Sequence, residues 1–187
     1  MYSAAILNGG RARRMAGQDK AWVSVDGQPI VHRQLAVLQQ RFSPIAMVVG
    51  ERGHAKALPV AILADRIGGQ GPVDGIAAAL SWSPTEWILI VASDMPNLNL
   101  AIIDALLDAI SPEADVIACE SEGRVQPLFA LYHRKSLPAI DAFLQAGHRK
   151  ASQVLTELGL QVTWVSARKI AEHHRAFANL NRPEDLS

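Results

Sequence analysis

Two adjacent glycines, Gly9 and Gly10, leave a short apolar run, and Arg11, Arg13, Arg14 and Lys20 then crowd one loop against Asp19. Bare backbone amides beside cationic side chains are what a polyphosphate requires of a protein. Glycine lets the backbone come close, and successive amides form an anion-binding concavity. Arg14 and Lys20 can add charge-assisted hydrogen bonds of about 1.5–3 kcal/mol each. The spacing is not a Walker A, because Lys20 is followed by Ala21 rather than Ser or Thr, and it is not Gly-x-Gly-x-x-Gly. A solvated basic loop is the competing reading. The double glycine and the strand before it favour phosphate.

Three other stretches carry groups suited to such a site. In 87–96 a continuous apolar run ends in Ser93-Asp94-Met95-Pro96, which puts a carboxylate just past a buried strand. Magnesium binds through few carboxylates together with phosphate oxygens and water, so Asp94 beside a triphosphate suffices; the alternative is an Asx turn before Pro96. In 65–76 Asp65 precedes Gly68, Gly69, Gly71 and Gly75, spaced around Pro72. That loop either approaches a ligand closely, with Asp65 accepting from a base or ribose, or is a plain crossover. In the tail, an extended chain would place Asn179 and Asn181 on one side. Asn181 with Glu184 three residues on is equally a helix-capping pattern, with Pro183 in the first turn.

These groups need elements to hold them. Apolar runs predict strands at 3–7, 45–49, 60–63, 87–91, 115–118, 128–132 and 162–165, and helical periodicity predicts helices at 29–41, 73–81, 101–110, 136–146 and 152–158. The helical stripe is plain in Ile102, Ile103, Leu106, Leu107 and Ile110, and again in Val31, Leu35 and Leu38. Strands as apolar as 87–91 imply burial on both faces, hence an α/β fold with a mostly parallel sheet and helices on both faces. Ligands in such folds sit beyond the carboxyl ends of the strands. The four polar stretches lie there. At 187 residues the chain suits one domain, 1–187, with no repeat or linker.

Composition narrows the partners. Eighteen basic and 18 acidic side chains cancel, so no overall field favours nucleic acid or an anionic membrane, and the basic first loop points instead to a small anion. The lone cysteine, Cys119, excludes an internal disulfide and reads as a small core residue after Val116-Ile117-Ala118. The histidines form no metal-binding set. No run is long enough to span a bilayer and Met1-Tyr2-Ser3 does not resemble a signal peptide, so a cytoplasmic location is expected.

Together the segments resemble the molybdenum cofactor guanylyltransferases. That family opens with approximately Leu-x-Gly-Gly-x-x-x-Arg-Met-Gly-x-x-Lys, which stands here as Leu7-Asn8-Gly9-Gly10, Arg14-Met15 and Asp19-Lys20. Gly71-Pro72-x-x-Gly75, Asp94 with Pro96, Gln126-Pro127-Leu128, Gln145-Ala146-Gly147 with Arg149-Lys150, and Asn179-Leu180-Asn181 follow in order. The resemblance covers nearly the whole chain. It implies a Rossmann-like nucleotidyltransferase sandwich that transfers GMP from magnesium-bound GTP to molybdopterin and releases pyrophosphate. It further implies that Leu7, Gly9, Gly10 and Lys20 hold GTP, with Asp65 on the nucleoside and Asp94 on Mg2+, and Asn8 and Gly71 are counted with the expected binding residues. Arg14, Gly17, Gly75, Asn179 and Asn181 would help place the pterin side or complete the metal surroundings. Arg14, Lys20 and Asp94 form the expected catalytic set. Transient contact with proteins that deliver molybdopterin or receive the product is also implied. Two departures stand out: Ala16 replaces the glycine after Arg-Met, and an asparagine expected near the end of the second strand is missing from 48–51. A related transferase using CTP with molybdopterin or a sugar phosphate, and a non-catalytic nucleotide-binding subunit, are the alternatives.

Overall fold

The computed structural model describes residues 1–9, 20–50, 58–67, 71–121, 123–170 and 173–177. Of the expected site residues, Gly10, Arg14, Gly17, Asn179 and Asn181 lie outside the described residues.

Every expected strand forms. They are β1 (Tyr2–Asn8), β4 (Phe42–Val49), β5 (Ala61–Ala64), β6 (Trp87–Ala92), β7 (Val116–Ser121), β8 (Arg124–His133) and β9 (Val162–Ser166). The expected helices appear as α1 (Ile30–Leu38), α2 (Pro72–Trp82), α3 (Leu100–Asp108), α4 (Leu137–Gln145) and α5 (Ala151–Thr156). Among the described residues, several elements are too short to show a period: β2 (Ser24–Val25) and β3 (Gln28–Pro29), which pair as a hairpin, α6 (His173–Ala176), and single 3-10 turns at Lys20–Trp22, Arg134–Ser136 and Ala167–Lys169.

The seven long strands make one sheet in the order β5-β4-β1-β6-β8-β7-β9. Neighbours are parallel except around β8, which runs against both β6 and β7. Side chains alternate across this sheet with the two-residue period of a strand. Ala4, Ile6, Leu89, Val91, Phe129 and Leu131 face the layer that contains α1 and α3. Ala5, Leu7, Ile88, Ile90, Ala130 and Tyr132 face the layer of α2, α4 and α5. Both faces are therefore apolar, which is why the strands read as unbroken hydrophobic runs. The mostly parallel sheet with helices on both faces is the expected Rossmann-like architecture.

Local chemistry sets the helix starts. Asn99 caps α3, its Oδ1 accepting from Ala101 N at 2.9 Å and Ile102 N at 3.3 Å. Gly71 precedes α2 with φ near +79°, a conformation L side chains resist, and Pro72 then supplies a preformed helical φ. Cys119 is fully buried in the α1–α3 layer, as its apolar neighbours suggested, and burial pushes its thiol up to about 12. In the native protein at pH 8 the thiol should resist a disulfide reagent and react only after denaturation. Stoichiometric labelling of folded protein on a time scale of minutes would contradict this burial.

Candidate active site

β1 connects through α1 to β4 on one side, and the chain later returns to place β6 on the other side of β1. The carboxyl ends of β1 and β6 are thus the topological switch point, where parallel sheets open to their ligands. A polar seam joins the two ends. Ser93 N donates to Leu7 O at 3.1 Å, and Ser93 Oγ donates to Asn8 Oδ1 at 3.1 Å.

The two groups expected to do chemistry meet at this seam. Lys20 begins a single helical turn anchored by the fully buried Ala21, and Val23 N donates back to Lys20 O at 3.2 Å. Asp94 follows β6. Lys20 Nζ lies 3.2 Å from Asp94 Oδ2, with the side chains 25% and 20% exposed. Nothing in local sequence required this approach across 74 residues. The opposed charges set side by side a cation and a carboxylate, the two kinds of group that a magnesium-bound polyphosphate calls for. The turn alternative for Asp94 fails on chemistry: the Asx bond would need an N–H two residues on, and Pro96 has none.

The residues present fit a magnesium ion in the modest sense that ion demands. Asp94 Oδ1 is buried and has no hydrogen-bond partner among the described residues. A lone carboxylate oxygen, completed by phosphate oxygens and water, is the usual protein share of a magnesium shell. No group of three or more His, Cys, Asp or Glu suited to a metal occurs among the described residues.

Asp65 sits at the end of β5, with its N–H donating to Val49 O at 3.3 Å. Its carboxylate lies against glycine backbone. A Cβ on Gly50 would stand 3.0 Å from Asp65 Oδ2 and 3.2 Å from Gly9 Cα; one on Gly9 would stand 3.8 Å from the same oxygen, and one on Gly75 3.7 Å from Oδ1. The missing asparagine in 48–51 thus has a steric counterpart, since the Asp65 carboxylate fills the space where a side chain at position 50 would begin. Gly50→Ala should cost about 1–3 kcal/mol as an overpacking change and displace Asp65. Unchanged melting together with unchanged nucleotide affinity would show that the crowding is relieved without consequence.

Leu7 and Gly75 are in contact range, since a Cβ at Gly75 would stand 3.3 Å from Leu7 Cδ1. Gly71 faces another segment singled out in the sequence, with Arg149 O 3.4 Å from where its Cβ would be. Of the expected set, then, Leu7, Asn8, Gly9, Lys20, Asp65, Gly75 and Asp94 converge around the carboxyl ends of β1, β4, β5 and β6, and Gly71 sits at the mouth of α2.

Three supporting residues were missed in the sequence. Asp74 is fully buried in the first turn of α2, and its Oδ2 accepts from Ile67 N at 2.9 Å, which ties down the loop after Asp65. An acid three residues after the glycine that opens a helix is a capping signal. Arg33 and Gln34 hold the Asp94 loop. Gln34 could have been noticed as a polar residue set among Val31, Leu35 and Leu38, on the apolar stripe of α1.

Comparison with known proteins bears on the family and the fold. A family model described as the MobA-like NTP transferase domain matches residues 4–162. A molybdenum cofactor guanylyltransferase of Vibrio cholerae is 32% identical over 97% of this chain and 88% of its own length. The crystal structure of molybdopterin-guanine dinucleotide biosynthesis protein A from Archaeoglobus fulgidus superimposes with a TM-score of 0.80 and 24% identity, covering 100% of this chain and 95% of that one. The same fold extends to 2-C-methyl-D-erythritol 4-phosphate cytidylyltransferase from Thermus thermophilus, with a TM-score of 0.70 and 16% identity over 97% of this chain and 94% of that one.

Proposed function

Because the chain belongs to the molybdenum cofactor guanylyltransferases, which carry the MobA-like NTP transferase domain, we propose that this nucleotidyltransferase moves GMP from GTP to molybdopterin. The observation that carries the reading is the Lys20–Asp94 pair, 3.2 Å apart at the switch point.

An oxygen of molybdopterin's terminal phosphate attacks the α-phosphorus of GTP. The new O–P bond forms as the α–β phosphoanhydride bond breaks, and pyrophosphate carries away the electron pair. The nucleophile is already anionic, so the site needs no strong general base. It needs alignment and charge neutralisation, which suit backbone amides and lysine. Lys20 neutralises charge gathering on the phosphates. Leu7, Asn8 and Gly9, continued by Gly10, line the triphosphate's path, and Asp65 accepts from the nucleoside. Asp94 would hold Mg2+, which when bound withdraws charge from phosphate oxygens. Arg14, Gly17, Gly75, Asn179 and Asn181 would place the acceptor or complete the metal surroundings, and Gly71 opens α2. Proteins that deliver molybdopterin or take up the dinucleotide are the expected transient partners, in the cytoplasm. No described helix is long and apolar enough to cross a membrane.

A second reading keeps the transfer but changes the base. Gly50 offers no side chain to read guanine, and a cytidylyltransferase shares the fold. Pyrophosphate release measured with molybdopterin and a panel of nucleotides separates the two. GTP should be preferred; a preference for CTP would defeat the guanine assignment.

A further inference from the structure

The Asp94 loop, residues 93–97, has no regular structure of its own, yet a metal ligand must be held within a fraction of an ångström. Its restraints come from α1. Gln34 is fully buried, and its Nε2 donates to Ala92 O at 2.8 Å and to Met95 O at 2.9 Å, the carbonyls that bracket Ser93 and Asp94. Two carbonyls on one side-chain nitrogen fix the orientation of the amide, since only an NH2 group can donate to both. The neighbouring Arg33 reaches further along the same loop. Its Nε donates to Pro96 O at 3.4 Å and its Nη2 to Asn97 Oδ1 at 3.3 Å. The other arm of the guanidinium, Nη1, donates to Val25 O at 3.2 Å and to Asp26 Oδ2 at 3.0 Å, on the β2–β3 hairpin. That hairpin follows directly from the turn that carries Lys20, and Ile30 N closes it by donating to Val23 O at 3.0 Å.

We propose that Arg33 and Gln34 are positioning residues for the transfer reaction: through one helix they clamp the Asp94 loop to the Lys20 segment, so the two opposed charges keep a fixed separation. This rests on Asp94 being the metal-holding carboxylate. Neither residue touches a reacting atom. Gln34 acts through the backbone on either side of Asp94 and Arg33 through Pro96 O and Asn97 Oδ1 just beyond it, as outer partners commonly orient a ligand. Four of the contacts are to loop carbonyls or to an amide oxygen, so a substitution that keeps side-chain volume and loses donors should loosen the carboxylate without emptying the core.

The test is a Mn2+ titration of the full chain in the presence of GTP, following unbound Mn2+ by its paramagnetic resonance. Gln34→Met, Arg33→Met and Asp94→Asn are compared with the parent, alongside GTP binding without divalent ion. Both α1 variants should melt cooperatively and bind metal-free GTP as the parent does, while the Mn2+ half-saturation point rises about 10–100-fold. If Gln34→Met does not fold, the more exposed Arg33→Met decides alone. Mn2+ curves that overlay the parent's in a folded α1 variant, with Asp94→Asn displaced, overturn the clamp. Loss of metal-free GTP binding in step with the metal shift also overturns it, because a general weakening of the fold would then explain both. An Asp94→Asn curve that does not move removes the carboxylate reading beneath it.

Discussion

Lys20→Ala should lower the rate of pyrophosphate release by about 10²–10³ at saturating GTP. The size follows from placement. A cation beside developing phosphate charge, in a partly water-excluded site, acts far more strongly than in bulk water. Lys20 sits at the end of the seam between β1 and β6, its ammonium 3.2 Å from a carboxylate that would share the same triphosphate. The cost to the fold should be small. The pair is partly exposed, and such pairs contribute about 0–1 kcal/mol; the backbone turn that carries Lys20 is fixed by buried Ala21 and by the Val23 N to Lys20 O bond. Activity should therefore collapse while the melting temperature barely moves. A folded Lys20→Ala enzyme with parental turnover would remove lysine from the chemistry.

Asp94→Asn should be the second most damaging change, with a different signature. The amide keeps the shape of the carboxylate but discards the charge that draws a divalent ion. Turnover at fixed low Mg2+ should fall about 10–100-fold and should recover partly as Mg2+ is raised. Lys20→Ala should show no such recovery. The orphaned Asp94 Oδ1 motivates this separation, because it is a buried acceptor with no protein donor among the described residues. A Mg2+ titration identical to the parent's would place the ion elsewhere.

The sequence was most legible where side-chain period and buried area dictate structure. β6 shows why: Trp87 to Val91 alternate between two apolar layers, so the run had to be a strand covered on both sides. The opening loop is a different case: residues 10–19 lie outside the described residues, so its glycine pair and clustered cations motivate the phosphate reading from sequence alone. The hairpin of β2 and β3 was not, because two-residue strands leave no period to read. The reversal of β8 was equally hidden: its residues alternate as they would in either direction, and only pairing with β6 and β7 sets the sense. Gln34 interrupts the apolar stripe of α1, and only the carbonyls of Ala92 and Met95 beside it give that interruption a purpose. Gly50 looked like a lost contact until the Asp65 carboxylate was found against it. Long-range partners of this sort are written in three dimensions, and a chain read residue by residue does not contain them.

The seam that joins Ser93 to Asn8 links residues 85 apart in the chain. During synthesis, a ribosome-bound fragment that ends before β6 owns the glycine loop and its cations yet lacks the opposing wall. On the proposed nucleotide assignment, which uses both walls, the stabilising pull of ligand on the native state should start only after the centre of the sheet has closed. Cellular GTP should accordingly protect the finished enzyme against proteolysis and heat while doing little for nascent chains, whose survival rests on how quickly β6 finds its place beside β1.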